Sequence, residues 1–392
     1  MDEIKYLNFT RGMFLQDLCQ KLLDRLHATQ NYSDIEDLIK SEQRNLRKAY
    51  TNLWNRPISD CVYFEYLQYL TALLEGELTE DQLNSVLEEV KKRTREKIYV
   101  LFLTQEPSVW PSIASVYEAA RNHPVFETAL VYTPFYHVNF TEQMDYFDTY
   151  ANEMGLPVIR HSDYNLEKYS PDVVFMIKPY GNIPEQFQIK HLQCVIPRAV
   201  YIPYGMEITV DLAKYGFQYY LHYKAWRHIA YGPVVKEYAK KYGYRNGENI
   251  AVWGHPKADQ FRNMENAKDD IPGEWKSFIN GRKVILWTPH HLIDLDSDGT
   301  GTWLLYGEQI LNLAFSNPDI VFIFRPHPLL MGALINNGIM TENSVERLKE
   351  RIDHAPNLIW DTNSEYRYAF NAADAIITDG TTFSIEFLYN KL

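Results

Sequence analysis

Three short apolar runs in the last third of the chain each end in a turn carrying anion-binding side chains. This pattern constrains the fold more than anything else in the sequence. Lys283-Val-Ile-Leu-Trp287 runs into Thr-Pro-His290-His291, Asp319-Ile-Val-Phe-Ile-Phe324 into Arg325-Pro-His327-Pro328, and Ala375-Ile-Ile-Thr378 into Asp379-Gly380-Thr381-Thr382. Helical patterns lie between and after them, the last from Phe383 to Leu392. Short β-rich runs alternating with helices predict a parallel sheet. Ligands of such sheets bind beyond the carboxyl ends of the strands, which is where all three turns fall.

The same rhythm begins at Ile98. Ile98–Leu103, Phe126–Tyr132, Leu156–Ile159, Asp172–Met176 and Ala199–Ile202 read as strands, with helices over Trp110–Asn122 and Thr141–Glu153. Before Ile98 the spacing is helical: Phe14, Leu18, Leu22, Leu23 and Leu26, then Leu67, Leu70, Leu73 and Leu74. Thr79-Glu-Asp-Gln82 predicts a capping box. The expectation is an α/β protein with three parts: a helical segment over 1–97, a Rossmann-like lobe over 98–245, and a second over 246–392. Asn249–Trp253 would open the second lobe, after a tyrosine-dense bridge. Two such lobes in succession suggest the GT-B arrangement of nucleotide-sugar transferases.

A net charge of −12 argues against a general nucleic-acid binder. Three scattered cysteines, Cys19, Cys61 and Cys194, give no metal or redox spacing and suggest a reducing compartment. No apolar run approaches the roughly 18 residues of a membrane span, and no secretory signal is visible at the start. A cytoplasmic location is expected, with any membrane contact peripheral at the inner face. The basic run Lys91–Lys97 would attract anionic headgroups; the competing reading is cations completing a helix end.

The turns also carry a resemblance. Gly254-His-Pro-Lys-Ala-Asp259 looks like a G-x-P-R-x-D element, Arg325-Pro-His327-Pro328 matches R-x-H-P, and Ala373–Asp379 matches the strand before a D-Y-S-S turn. With Ile285–His290, these resemble the CDP-glycerol:poly(glycerophosphate) glycerophosphotransferases, which build teichoic acids and related capsule polymers. The similarity spans roughly 170 to 392. It implies transfer of a polyol phosphate from a CDP-activated donor to a hydroxyl of a lipid-linked or polymer acceptor. Tyr204-Gly205 stands where that family has His-Gly with the expected catalytic base, and Asp379-Gly380-Thr381-Thr382 replaces D-Y-S-S. The family pattern continues beyond Leu392, so the expectation is either a truncated C-terminal lobe or a shortened member.

The residues suit that chemistry. Arg325 offers phosphate a planar fork and His327 a hydrogen bond, and the competing reading is a plain strand-ending turn. His290 would lie near the donor phosphates. Gly380, Thr381 and Thr382 open a helix whose N–H groups favour an anion, while Thr381 as a simple cap is the structural alternative. Asp379 would orient a ligand hydroxyl or His327, or only brace a turn. Glu386 would hold the ribose or lie on a solvated helix face. His327, Glu207 and Tyr204 are the catalytic candidates, with His137 a further stand-in for the family histidine; Tyr204 is a poor base at an unperturbed pKa of about 10. Asp294-x-Asp-x-Asp298 opens like a calcium loop, but its twelfth position is Leu305, not Glu. No resident metal is therefore expected, a magnesium bridge to pyrophosphate being the lesser reading. The alternatives to this transferase are a GT-B glycosyltransferase using a nucleotide sugar, or a degenerate non-catalytic nucleotide-binding protein.

Overall fold

The computed structural model describes residues 7–51, 58, 61–136, 143–193, 195–196, 198–206, 217–261, 270–293, 301–363 and 365–391. Among these, 7–204 with 217–257 form one compact unit, and 205–206 with 258–391 form another.

The first unit opens with four helices, α1 (Phe9–Ala28), α2 (Ser33–Ala49), α3 (Val62–Glu75) and α4 (Glu80–Arg93). Leu15, Leu18, Leu22, Leu67, Leu70, Leu83 and Val90 fill their common core. The capping box at Thr79 and Gln82 forms as the spacing predicts. Buried Asp172 ties this layer to the sheet, accepting from the Thr10 amide at 2.5 Å and the Tyr99 amide at 2.9 Å. A carboxylate at a helix N-terminus satisfies amides that have no partner within the helix. The basic run is largely engaged: Lys91 pairs with Glu88, Arg93 with Glu89, and Arg95 donates to the Tyr169 carbonyl. Lys91, Lys92 and Arg93 lie in the last turn of α4, where the helix-end reading puts them.

The sheet of this unit has seven parallel strands: β1 (Ile98–Thr104), β2 (Phe126–Tyr132), β5 (Val158–Arg160), β6 (Val173–Met176), β7 (Arg198–Tyr201), β8 (Arg227–Ala230) and β9 (Ile250–Val252). Their spatial order is β5-β2-β1-β6-β7-β8-β9. The two-residue strands β3 (Phe135–Tyr136) and β4 (Gln143–Met144) pair as an antiparallel ribbon. β1 is apolar without alternation because both its faces are covered. The chain reverses direction across the sheet between β1 and β6.

Two expectations shift. β9 pairs with β8, so Asn249–Trp253 closes the first sheet and the second unit starts after Lys257. Periodicity cannot assign a three-residue strand to one sheet or another. The helix expected over Thr141–Glu153 is in part β4 and a short π-helical turn, Thr149–Glu153; 141–142 lie outside the described residues.

The second unit has a four-stranded parallel sheet: β10 (Lys283–Thr288), β11 (Ile320–Phe324), β12 (Leu358–Trp360) and β13 (Ala375–Thr378), ordered β12-β11-β10-β13. Val284, Leu286, Val321, Ile323 and Phe370 pack in one core cluster, and Trp287, Phe322, Phe324, Leu348 and Ile352 in another. The sheet reverses between β10 and β13, and the helix Thr381–Lys391 follows β13.

Candidate functional site

In the second unit the loops after all four strands meet at the carboxyl edge, and backbone bonds lock them together. The Arg325 amide donates to the Trp287 carbonyl at 2.9 Å and the His327 amide to the Pro289 carbonyl at 3.0 Å, fastening the loop after β11 to that after β10. Asp379, just past β13, accepts from the amides of His290 and Thr302 at 2.9 and 3.0 Å and from the Thr302 hydroxyl at 2.6 Å. Its carboxylate is thus a clamp tying the loop after β13 to both ends of the loop after β10, at the reversal point of the sheet, where a parallel sheet offers its ligand crevice. Gly380 donates its amide to the Thr378 hydroxyl at 2.9 Å, and its carbonyl accepts from Ser384 as the last helix begins. Thr381 and Thr382 form the first turn of that helix.

Three imidazoles gather there. The ring centres of His290 and His291 lie 4.4 Å apart, those of His290 and His327 5.1 Å, and those of His291 and His327 4.0 Å. Each ring is half-buried. Burial lowers the pKa of His290, against the pull of Asp379. Burial, with His291 and His290 alongside, lowers that of His327 to about 3. A ring that resists protonation acts at neutral pH as a hydrogen-bond donor or a ligand, not as a cation. The Leu292 amide donates to His290 Nδ1 and the Leu329 amide to His327 Nδ1, each at 3.2 Å. In a neutral ring that places the proton on Nε2.

Arg325 sits at this edge with a partner that sequence reasoning missed. Its Nη1 pairs with the fully buried Asp361 at 2.5 Å and its Nη2 donates to the Asn363 carbonyl at 2.7 Å. Asp361 follows β12, a strand too short to stand out from its flanks; the turn Asp361-Thr-Asn363 was the available signal. Two of the five guanidinium N–H groups are committed to these bonds. Glu386 lies elsewhere: fully buried, it accepts from the Tyr366 hydroxyl, which in turn accepts from Gln260 at 2.6 Å. It is neither on a solvated face nor at the loop edge. Its spacing with Phe383, Phe387 and Asn390 already put it on the inward stripe.

In the first unit, the reversal point between β1 and β6 holds an ion pair that sequence reasoning did not single out. Lys178 Nζ lies 2.6 Å from Glu106 Oε2 and 4.0 Å from the centre of the Phe135 ring. Burial lowers the Lys178 pKa, and Glu106 opposes that shift. The Tyr204 hydroxyl meets that of Tyr180 at 3.1 Å, its ring is 5.8 Å from Lys178 Nζ, and its carbonyl accepts from Ser112 at 3.0 Å. His255 braces the same loop, donating from Nε2 to the Pro203 carbonyl at 2.7 Å while Nδ1 accepts from the Lys257 amide at 3.2 Å. Its role here is structural. Glu207, His137 and the acidic stretch Asp294–Asp298 lie outside the described residues.

No protein-family model matches the chain, and no curated protein matches it. Solved structures do. The chain is similar to the UDP-GlcNAc 2-epimerase of Methanocaldococcus jannaschii in complex with UDP-GlcNAc and UDP, at 14% identity over 76% of this chain and 82% of that one, with a TM-score of 0.51. A Staphylococcus aureus MnaA–UDP structure matches at 11% identity over 73% of this chain and 75% of that one, with a TM-score of 0.51. A wall teichoic acid polymerase, TagF, matches at 15% identity over 80% and 73% of the two chains, with a TM-score of 0.43, too low to carry an argument. The likeness shows the fold: α/β, two Rossmann-like lobes of GT-B type, with helices ahead of the first.

Proposed function

We propose that this chain is a transferase that takes a nucleoside-diphosphate-activated donor at the carboxyl edge of the second sheet. The donor is a CDP-activated polyol, and the product a polyol phosphate ester on a polymer hydroxyl. The convergence of His290, His327 and the Asp379 clamp at the reversal point of that sheet supports this reading. Such a crevice is the common seat of nucleotides in parallel α/β folds, and the turns that form it carry the resemblance to the glycerophosphotransferases.

In the proposed step an acceptor hydroxyl attacks the phosphorus bearing the polyol, the bond from that phosphorus to the bridging oxygen breaks, and CMP leaves. His327, neutral with its proton on Nε2, donates to the oxygen on which charge develops, as preorganised donors do in low-dielectric sites. Arg325 adds its remaining N–H groups, and the start of the helix Thr381–Lys391 adds backbone amides. Tyr204 and Glu207 are the candidates for taking the proton of the acceptor hydroxyl.

The nucleotide-sugar reading rests on the UDP complexes among the structural neighbours. Incubation with CDP-glycerol, CDP-ribitol and UDP-GlcNAc separates the two, with CMP and UDP release measured for each. CMP release from a CDP-polyol that falls at least about 100-fold in His327→Ala is the expected result. UDP chemistry on a sugar without CMP release would transfer the assignment to the alternative, and no turnover of any donor would leave a binding protein.

A further inference from the structure

We propose that His290, His291 and His327 hold one divalent ion of borderline softness, of the zinc, cobalt or nickel kind, through one ring nitrogen each. A remaining coordination position faces an oxygen of the donor phosphates; that last clause rests on the nucleotide-donor reading above. One nitrogen from each ring lies within 4.8 Å of one from each of the others. A tetrahedral zinc with bonds of about 2.0–2.1 Å needs ligand nitrogens about 3.4 Å apart. Small rotations of three half-buried rings therefore close the site, without backbone movement.

The backbone is already fixed. The bond from the His327 amide to the Pro289 carbonyl and the Asp379 clamp on the His290 amide hold both loops in register, which is the supporting shell that a metal site needs. The donor set selects the ion: imidazole nitrogens suit zinc, cobalt and nickel, whereas magnesium and calcium require oxygen. Charge points the same way. Among the described residues of these loops, Arg325 is matched by Asp361 and Arg367 by Glu365, and Asp379 adds a carboxylate held by neutral donors. A diphosphate entering there meets no surplus positive charge, and a divalent ion would provide it. Ligation through Nε2 moves the ring proton to Nδ1 and opens the two amide bonds to His290 and His327; with the ion bound, the ion takes the place of the His327 N–H toward the donor oxygen. Both are local bonds at 3.2 Å, long enough to yield to a metal.

The test uses the full chain without a polyhistidine tag, stripped with EDTA and titrated with cobalt, then zinc in competition. The expected result is one ion per chain, an intense visible cobalt band of low coordination number, and at least about tenfold weaker uptake in each of His290→Ala, His291→Ala and His327→Ala. The exposed His354 supplies a control, His354→Ala, with unchanged uptake. Circular dichroism checks that each variant folds, and His→Gln replacements serve where an alanine variant does not. No saturable uptake, or uptake unaltered when all three histidines are replaced, overturns the site. Addition of CDP should shift the cobalt band. CDP binding by equilibrium dialysis with the band unmoved overturns phosphate ligation. Cobalt uptake without any CDP binding sustains the ion site and counts against the donor reading instead.

Discussion

At the scale of single residues, partners decide what a side chain can do. Arg325 reads in the sequence as a phosphate ligand, yet its fork grips Asp361, whose side chain has no solvent exposure. Breaking a buried pair leaves an uncompensated charge, at a cost of about 3–5 kcal/mol. Arg325→Ala should therefore lower stability by that order as well as weaken donor binding, whereas Arg325→Met with Asp361→Asn, which removes both charges and keeps an acceptor for the Asn363 amide, should restore most of the stability and none of the affinity. Denaturant unfolding and donor titration on the same samples read both. A single variant that unfolds like the parent would show that the pair is not structural. Glu386 teaches a related lesson. The turns announced their chemistry through residue type, but neither the Asp361 partner of Arg325 nor the burial of Glu386 against Tyr366 is encoded locally. Both depend on elements far apart in the sequence.

At the scale of elements, sequence legibility followed length. The strands β1, β2 and β11 were readable as short apolar runs bounded by turns, and the amphipathic helices from their period, because burial on both faces gives a continuous run and burial on one face a period. β12 and β9, three residues each, were not: one was missed and the other was placed in the wrong sheet. Capping chemistry was readable at Thr79, where Ser/Thr and Gln stand three apart, and less so at Thr341, whose box closes with Ser344. Two variants separate local from long-range support of the helical layer. Thr79→Ala removes an exposed cap and should cost about 1 kcal/mol. Asp172→Ala leaves the amides of Thr10 and Tyr99 without their acceptor inside the protein. Each unsatisfied buried group costs about 1–3 kcal/mol, so this variant should lose clearly more, with a lower urea midpoint than Thr79→Ala. Equal midpoints would show that α1 is not held to the sheet by Asp172.

At the scale of the whole molecule, the first unit carries a buried store of acid sensitivity. His222, His228 and His255 lie on and beside β8, among Tyr201, Phe217, Asn249 and Lys257. The His222 and His228 rings are 5.4 Å apart. Burial lowers the pKa of His222 to about 4. Burial and the Lys257 charge outweigh the bond to the Pro203 carbonyl and lower that of His255 to about 4. Burial, with His222 and His255 nearby, puts His228 well below the usual range. All three stay neutral in the folded chain while their unfolded counterparts protonate near the ordinary value of about 6.5. The sign follows. Above that value the groups add no pH dependence, and as pH falls below it the unfolded state binds more protons and stability drops, until the folded pKa is reached. Each such histidine contributes a slope of up to about 1.4 kcal/mol per pH unit, so unfolding free energy should fall by several kcal/mol between pH 7 and pH 4.5. Urea unfolding at stepped pH, followed by circular dichroism, measures that slope. His222→Gln, which keeps a polar side chain but cannot titrate, should flatten it by about one proton's worth. An unchanged slope in that variant would place the acid sensitivity in other groups.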